Sequence, residues 1–259
     1  MDKNIHYSLF SNLCKRNAVF IMLSLILVIV LGLALVYIPK GELHLLLCDR
    51  HTPARDIFYK YYTQMAEWLP YVICVSLLLF GRVGNGLLAT SCVVMSGLTT
   101  QIVKHIVNAP RPLTWFAENL PDIQLPLVEG VRMNQYFSFP SGHTTTFFSL
   151  FFAISIIATN YLIANNSERS GSAGSPGTKG SVLCQRNGIY FVSAALQLLL
   201  FMLAALGGYS RIYLSQHFAQ DVFGGIIVGL LISMVCYAIF MHFMDRKWYN
   251  YRLLVRKKA

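Results

Sequence analysis

The chain has few charged residues, and acidic residues are especially scarce. Only 12% of its 259 residues are Asp, Glu, Lys or Arg, whereas a typical soluble domain carries about 25%. At the same time 55% of the residues are hydrophobic, and the mean hydropathy is +0.53. This composition excludes an ordinary soluble domain and indicates a protein that lies mostly within a membrane.

The sequence also lacks the patterns of a disulfide framework and of a metal site. Only Cys48 of the six cysteines falls in a segment that we expect outside the cytoplasm, where it has no partner. His44, Cys48 and His51 are spaced closely enough to suggest zinc. A zinc site needs three or four converging ligands, however, and these residues lie in a short polar segment after the first apolar run. We therefore predict neither a metal nor another cofactor.

Apolar runs near the length that a helix needs to cross a bilayer, about 20 residues, recur along the chain. The run from Ala18 to Ile38 is the clearest, because it contains no charged residue. Six such runs predict an all-α polytopic membrane protein, whose six transmembrane helices form one bundle and one domain over residues 1–259. The predicted spans are Ala18–Ile38, Trp68–Phe80, Gly86–Val103, Thr144–Ile163, Gly188–Gly207 and Val222–Phe243.

The distribution of charge predicts the orientation of these helices. With six spans both termini lie on one side, together with the turn at Arg82, the loop 164–187 and the tail after Phe243. That side holds 13 of the 21 basic and 3 of the 11 acidic residues, a net charge of +10, and the other side holds the remaining 8 of each. Since Lys and Arg near span ends stay in the cytoplasm, we expect segments 39–65, 105–142 and 208–220 to face away from it.

A membrane topology also accounts for two other features of the sequence. A pI near 9.4 can indicate nucleic-acid binding, but the basic residues are dispersed around the spans, so no nucleic-acid partner is predicted. Segment 165–181 is rich in Asn, Ser and Gly, a composition typical of flexible linkers. We interpret it as a flexible cytoplasmic loop that has no chemical role.

Three short clusters at the predicted span ends carry the residues best suited to chemistry. The first cluster begins at Lys104, where the third span ends, and continues to Arg111, which has a proline on either side. A guanidinium can hold two phosphate oxygens at once, and an ammonium adds a point charge. Taken alone, such a pair more often consists of side chains that only reach towards lipid headgroups.

The second cluster is Pro-Ser-Gly-His at residues 140–143, where the fourth span begins. The first N–H groups of a helix have no partner within it and attract anions, and Gly142 lets a ligand approach the backbone closely. His143 beside such an anion is placed to protonate a leaving oxygen. The simpler interpretation is that Ser141 is an ordinary helix cap.

The third cluster, from Ser210 to Asp221, is the most informative. His217 and Asp221 are four residues apart at the start of the last span, so they share one helix face. A carboxylate that accepts from one imidazole nitrogen leaves the other nitrogen available as a nucleophile, and Arg211 adds a third cation. On their own, these residues are also compatible with a helix cap and a surface ion pair.

Together the clusters have the pattern Lys-x6-Arg-Pro, Pro-Ser-Gly-His and Ser-Arg-x5-His-x3-Asp, which resembles the type-2 phosphatidic acid phosphatase superfamily. The resemblance covers residues 104–221 and departs from none of the three motifs. It implies metal-independent hydrolysis of lipid phosphates, with His143 as general acid, His217 as nucleophile and Asp221 as the residue that orients it. The phosphate ligands that it implies are Lys104, Arg111, Arg211 and the backbone of Ser141 and Gly142.

Three hypotheses about function follow. The first is a lipid-phosphate phosphatase, which in a bacterium would lie in the inner membrane and act at its periplasmic face on lipid A phosphate, undecaprenyl pyrophosphate or phosphatidylglycerophosphate. The second is a phosphotransferase that passes the phosphoryl group to a lipid or sugar. The third is a non-catalytic lipid-binding or transport protein, which would not need an oriented His217.

The segment between the first two clusters is rich in aromatic residues. Such residues form a belt at headgroup level in many membrane proteins. They are also suited to a lid or a lateral entry for an acyl chain, and both interpretations stay open. The residues are Trp115, Phe116, Tyr136, Phe137 and Phe139.

Overall fold

The computed structural model describes residues 11–172 and 179–253, and the side chains of residues 11–164 and 187–253. The regular structure in these ranges is helical, which confirms the prediction of an all-α fold. One turn of 3-10 helix, Thr63–Ala66, separates the third helix from the fourth. The helices are α1 (Ala18–Tyr37), α2 (Lys40–Cys48), α3 (Pro53–Tyr62), α4 (Trp68–Gly81), α5 (Val83–Val107), α6 (Pro112–Asn119), α7 (Gly142–Ser172), α8 (Lys179–Tyr213) and α9 (Ala219–Met241).

Five of the described helices are long and apolar enough to cross a membrane, namely α1, α5, α7, α8 and α9. Helix α4 has 14 residues and is therefore about 21 Å long, shorter than the hydrocarbon core of about 30 Å. It meets the same criterion only in combination with α3 and the 3-10 turn, which bend away from it by 52°. The described part of the chain thus holds five spans, or six if this bent pair is one span.

Segment 39–65, a connection between predicted spans, is largely helical. Helix α3 begins at Pro53, which suits a first helical position because the missing N–H has no partner there in any case. Thr52 caps this helix, and its side-chain oxygen accepts from the backbone N–H of Arg55 at 3.4 Å. Local capping therefore orders a segment whose polarity alone indicates a loop.

The predicted flexible loop 165–181 overlaps two helix ends. Helix α7 continues to Ser172, and α8 begins at Lys179. Residues 173–178 lie outside the described residues, so a flexible connection there stays a prediction. Once a helix is nucleated, each further residue costs little, which is why a polar stretch can prolong a membrane helix at its end.

Helix α7 lies at the centre of the bundle and packs against α5, α8 and α9. Its contact with α9 is close because glycines replace larger residues on the facing side. A Cβ atom on Gly225 would lie 2.8 Å from the carbonyl oxygen of Ser141, and one on Gly229 would lie 2.9 Å from that of Thr145. This close approach brings the first turns of α7 and α9, which carry the second and third sequence clusters, side by side.

An aromatic layer fills the bundle below these first turns. The ring of Phe20 on α1 lies 5.2 Å from that of Phe152 on α7 and 6.0 Å from that of Phe201 on α8, measured between centroids. Phe148 packs edge-on against two of these rings. Because this layer is dry and rigid, it supports the polar groups at the bundle end.

Candidate active site

The three sequence clusters meet at one end of the bundle, where α5 ends, α7 begins and α8 turns into α9. Helix α5 ends at Asn108, whose φ of 43° is the left-handed conformation that Asn tolerates well. Lys104 therefore lies in the last turn of α5. Arg111 follows as the residue before α6, which begins at Pro112. The chain direction thus reverses between the two cations and keeps both at the same surface.

Asp221 holds His217 from one side. The carboxylate Oδ2 of Asp221 lies 3.4 Å from Nδ1 of His217 and accepts hydrogen bonds from Ser138 Oγ at 2.5 Å and from the backbone N–H of Phe218 at 2.9 Å. Both His217 and Asp221 are buried. Because Nδ1 is engaged by the carboxylate, Nε2 is the ring nitrogen that can act as a nucleophile.

Three cations lie beside this pair, and all of them are almost completely buried. Lys104, Arg111 and Arg211 are exposed by 7%, 8% and 6%. The Lys104 ammonium donates to the carbonyl oxygen of Phe137, and Nε of Arg111 donates to that of Tyr136 at 3.1 Å. In the part of the chain that the structure describes, none of the three forms an ion pair with a carboxylate. The site therefore carries a positive charge that an anion can neutralise.

Gln216 bridges the two arginines. Its Oε1 accepts from Nη1 of Arg111 and from Nη2 of Arg211, each at 3.3 Å, while its Nε2 donates to the carbonyl oxygen of Arg132 at 2.9 Å. Nη1 of Arg211 also donates to Oγ1 of Thr63 at 2.8 Å. Nε of Arg211 is buried and has no hydrogen-bond partner among the described residues, which makes it a donor ready for a ligand oxygen.

His143 lies in the first turn of α7 and faces the same group of charges. It interacts electrostatically with Arg211, His217, Arg111 and Lys104. Gly142 lies close to the first cluster, since a Cβ atom on it would be 3.9 Å from Cε of Lys104. The N–H groups of this first turn have no partner within the helix, so they and the cations point to one anion-binding site.

Ser141 makes the contacts of a helix cap, the simpler of the two interpretations of its position in the sequence. Its backbone N–H donates to the carbonyl oxygen of Asp221 at 2.9 Å, and its hydroxyl accepts from both the backbone N–H and the hydroxyl of Thr144. In this structure Ser141 therefore caps α7 and ties it to α9. The amides of Gly142 and His143 are the ones that the first turn offers to an anion.

The surroundings of His217 favour the neutral imidazole. Burial lowers the pKa of His217 well below its usual range, and the positive charges of Arg111, Arg211 and Lys104 lower it further. A neutral imidazole has a free electron pair on Nε2, whereas the protonated ring has none. The same cations that suit an anionic ligand thus also favour the neutral form of His217, the form that a nucleophilic role would need.

The residues whose spacing suggests zinc have separate partners. Nε2 of His44 lies 3.3 Å from Oγ of Ser215, and Nδ1 of His51 lies 2.9 Å from Oδ1 of Asp56. Burial lowers the pKa of His44 to about 4 and raises the pKa of Cys48 to about 11, so both are neutral near pH 7. No three His, Cys, Asp or Glu side chains in the described ranges are grouped to hold a metal ion.

Sequence reasoning missed three residues that contact the site: Ser138, Gln216 and Thr63. Gln216 immediately precedes His217 inside the third cluster, and that position is a signal that could have been used. Ser138 and Thr63 have no such signal, because they reach the site across 83 and 148 residues of sequence. Their hydroxyls contact Asp221 and Arg211 only after the helices have packed.

The aromatic residues of segment 113–139 divide into two groups. Phe116 is buried and stacks on Phe218, with the ring centroids 6.4 Å apart, so it supports the turn behind His217. The side chains of Tyr136 and Phe137 are 43% and 42% exposed, although their backbone carbonyls contact the cations. These two rings lie at the surface beside the site. That position is compatible with an aromatic belt at headgroup level and with a lid over the site.

Comparison with known proteins assigns the family. The model of the PAP2 superfamily matches residues 85–245, which is more than half of the chain, and the chain therefore belongs to that superfamily. This confirms the resemblance that the three motifs predict. The chain is also 30% identical over 159 residues to lipid phosphate phosphatase 2 of Arabidopsis thaliana. That match covers 57% of this chain and 48% of the plant protein, so the chain spans about half the length of this curated relative.

Two solved structures have a similar fold. LpxE of Aquifex aeolicus is 21% identical, with a TM-score of 0.53, and the match covers 76% of this chain and 93% of LpxE. The first transmembrane PAP2-type phosphatidylglycerolphosphate phosphatase from Bacillus subtilis is also 21% identical, with a TM-score of 0.53, over 90% of this chain and 98% of that protein. At this level of identity the likeness concerns the fold, and it confirms the predicted helical membrane architecture.

Proposed function

We propose that this protein hydrolyses phosphate esters or diphosphates of membrane lipids through a phosphohistidine intermediate. The observation that carries the proposal is the arrangement of three buried cations without carboxylate partners, next to an imidazole that a buried carboxylate orients. Binding an anion would need the cations alone, whereas the His217–Asp221 pair adds a nucleophile. Membership of the PAP2 superfamily and the name of the plant relative support the same reaction.

The phosphoryl group would be held by charge from the protein. Arg111 and Arg211 both donate to Oε1 of Gln216, so the two guanidinium groups are close enough to donate to one oxygen. Lys104 and the first amides of α7 complete the surroundings on the other side. Because these groups are already in place, they can stabilise the charge of the transition state without a divalent metal.

In the first step, the electron pair of His217 Nε2 forms a bond to phosphorus while the bond from phosphorus to the lipid oxygen breaks. The negative charge of the bound phosphate offsets the cations around His143, so that His143 in its protonated form can give its proton to that oxygen. The lipid then leaves as an alcohol or, from a diphosphate, as a monophosphate. Asp221 stabilises the positive charge that develops on the His217 ring.

In the second step, water attacks the phosphohistidine and the phosphorus–nitrogen bond breaks. His143, which is now neutral, accepts a proton from that water and so returns to its starting form. Inorganic phosphate leaves, and His217 again carries its electron pair on Nε2. Both histidines are thus restored after one turnover.

The substrate would enter from the lipid phase at headgroup level. The cations lie at the ends of apolar helices that are long enough to span the bilayer, so a lipid phosphate can reach them while its chains stay in the hydrocarbon. Lipid A phosphate, undecaprenyl pyrophosphate and phosphatidylglycerophosphate all present such a group in bacteria. We infer that the site faces away from the cytoplasm, since the excess of Lys and Arg lies at the other end.

Phosphate release from a lipid panel tests the reaction. The full chain, purified in detergent with excess EDTA, should release phosphate from at least one of these lipids, and vanadate should inhibit because it mimics the transition state. Arg111→Gln should lose most of this activity, whereas Arg50→Gln, an exposed arginine, should keep it. No release from any lipid, or release only with added divalent metal, would contradict the proposal. If the phosphoryl group of a labelled substrate is transferred to another lipid rather than to water, the protein is a phosphotransferase.

Labelling with a membrane-impermeant thiol reagent tests the orientation. In a cysteine-free background, Glu118→Cys and Lys247→Cys place one exposed thiol at each end of the bundle. In intact cells we expect labelling at position 118 only, and both positions should react after lysis. Labelling of position 247 but not of position 118 would reverse the proposed orientation.

A further inference from the structure

A cavity of about 680 Å³ opens at the end of the bundle opposite the candidate active site. Asn160 in its wall lies 17 residues after His143 on α7, which is about 26 Å along the helix. Tyr237 in its wall lies 16 residues after Asp221 on α9, or about 24 Å. These separations are close to the hydrocarbon thickness of a bilayer, so the cavity lies at the other membrane surface.

The walls of this cavity are apolar towards the membrane centre and polar at the surface. On α4, Leu77 precedes Arg82 by five residues, and on α7, Ile156 precedes Asn160 by four. The apolar side chains therefore lie at least one helical turn deeper than the polar ones. A cavity with this gradient matches an amphiphile whose polar group lies at the surface and whose chain points inward.

The polar mouth carries an excess of positive charge. Three arginines and one aspartate line it, namely Arg16, Arg82, Arg252 and Asp245, which leaves a net charge of +2. No ion pair joins these arginines to a carboxylate among the side chains that the structure describes. A charge of this size in a partly enclosed space favours an anionic occupant.

Two of the arginines are held over the cavity by neutral amides. Nη1 of Arg16 donates to Oδ1 of Asn160 at 3.0 Å, and Nη1 of Arg82 donates to Oδ1 of Asn250 at 3.4 Å. An amide oxygen orients a guanidinium without cancelling its charge, so the other N–H groups remain available to a phosphate. Arginines that only extended towards headgroups would not need partners on the walls of a cavity.

We propose that this cavity binds an anionic phospholipid of the adjacent leaflet, with the headgroup phosphate on the arginines and an acyl chain along α4 and α7. Basic pockets between membrane helices are known to take such headgroups. The described residues that line the cavity include no histidine, serine or cysteine, so the lipid would be bound without being hydrolysed. The inference does not depend on the reaction at the other end.

Native mass spectrometry of the full chain in detergent tests the site. Phosphatidylglycerol and phosphatidylcholine with the same acyl chains are added in turn. We expect the wild type to retain one phosphatidylglycerol at least about tenfold more tightly than phosphatidylcholine. Arg82→Gln with Arg252→Gln should remove about tenfold of that preference, since each surface arginine contributes a substantial part of the attraction to an anionic lipid.

A matched variant separates this cavity from other basic residues at the same surface. Arg246→Gln with Lys247→Gln removes two charges there but outside the cavity, and it should retain phosphatidylglycerol as the wild type does. If it loses the lipid as strongly as the cavity variant, or if the cavity variant keeps it, the proposal is wrong.

Two further measurements complete the test. Arg252 is exposed, and its side chain has no hydrogen bond to the residues that the structure describes, so Arg252→Gln alone should weaken the lipid adduct by a few fold even if the double variant is unstable. An unchanged adduct in a folded Arg252→Gln protein would overturn the assignment of this residue and the proposal with it. Displacement of the lipid by inorganic phosphate at equal concentration would identify a site for soluble anions instead.

Discussion

The candidate active site and the cavity at the opposite end of the bundle each hold three basic side chains, but they hold them in opposite ways. At one end Lys104, Arg111 and Arg211 are almost completely buried, and backbone carbonyls or Gln216 fix their donors. At the other end Arg16 and Arg252 are exposed, and Arg82 is partly so. Equal numbers of cations thus produce two different environments.

The difference in burial between the two sets of cations explains why we expect chemistry at only one of them. Burial lowers the pKa of His217, and the buried cations lower it further because they act through a low dielectric. Under the proposed function, the same cations are preorganised for a phosphoryl group. The exposed arginines at the opposite end are screened by water and salt, and no described histidine lies with them in the cavity wall. We expect catalysis at the first end and reversible binding at the second.

The strongest test of this comparison removes the nucleophile. His217→Asn keeps a polar nitrogen near the position of Nδ1 but has no ring nitrogen to form the covalent intermediate, so activity should fall by about 10⁴-fold or more. Rapid quenching in an alkaline denaturant, in which the acid-labile phosphorus–nitrogen bond survives, should trap labelled phosphate from the substrate on the wild type and none on the variant. Trapped label on His217→Asn would show that another residue is the nucleophile.

Replacement of the proton donor should have the next largest effect. His143→Ala should lower the rate on lipid alkyl phosphates by about 10²–10⁴-fold, the usual contribution of a general acid. The loss should be much smaller on an aryl phosphate, whose leaving oxygen needs little protonation. Steady-state rates on both substrates decide the matter, and an equal loss on both would argue against His143 as the acid.

Substitution of Gln216 tests whether the guanidinium groups of Arg111 and Arg211 need a side chain that bridges them. Gln216→Leu removes hydrogen bonds to two charged partners and leaves the guanidinium groups to repel each other, so vanadate should bind about 10- to 100-fold more weakly. Gln124→Leu makes the same chemical change at an exposed position of the connecting segment and should leave the inhibition constant unchanged. Wild-type vanadate affinity in Gln216→Leu would mean that the bridge has no role.

The smallest expected effect is a shift in pH dependence. Because the pKa of His217 is lowered, the imidazole should stay neutral as pH falls through the ordinary histidine value of 6.5, and activity should be lost only below it. Arg111→Gln removes one positive charge, which raises the pKa of His217 and should move this acid limb upward by about half a pH unit to one unit. The measurement is kcat/KM for an aryl phosphate as a function of pH, which gives the pH at which activity is lost on the acid side. A downward shift, or the same shift in Arg50→Gln, would contradict this explanation.

Most of the architecture could be predicted from the sequence because it depends on local regularities. The apolar run from Ala18 to Ile38 corresponds to α1, which ends one residue earlier. The short run from Trp68 does not show by itself whether it spans the membrane alone or together with α3, since the bend between α3 and α4 depends on how both helices pack. Segment 39–65 was assigned to a loop because its helices are short and polar, and caps such as Thr52 are weak signals.

The site was predictable as a set of motifs but not as a geometry. The spacing of His217 and Asp221 identifies a pair on one helix face, and the structure places their side-chain atoms 3.4 Å apart. Ser141 illustrates the limit, because its N–H is engaged by the carbonyl of Asp221 across the interface between α7 and α9. No pattern within residues 140–143 reports that contact.

Sequence alone determined the helical membrane fold, the family and the residues proposed to hold and attack a phosphate, because helix periodicity, apolar length and motif spacing are local properties of the chain. Tertiary structure decided how those residues are connected. Ser138 reaches Asp221, Thr63 reaches Arg211 and Gln216 joins two arginines only after helices distant in sequence have packed. The cavity at the opposite end likewise arises from the arrangement of several chain segments, since no single segment forms its walls.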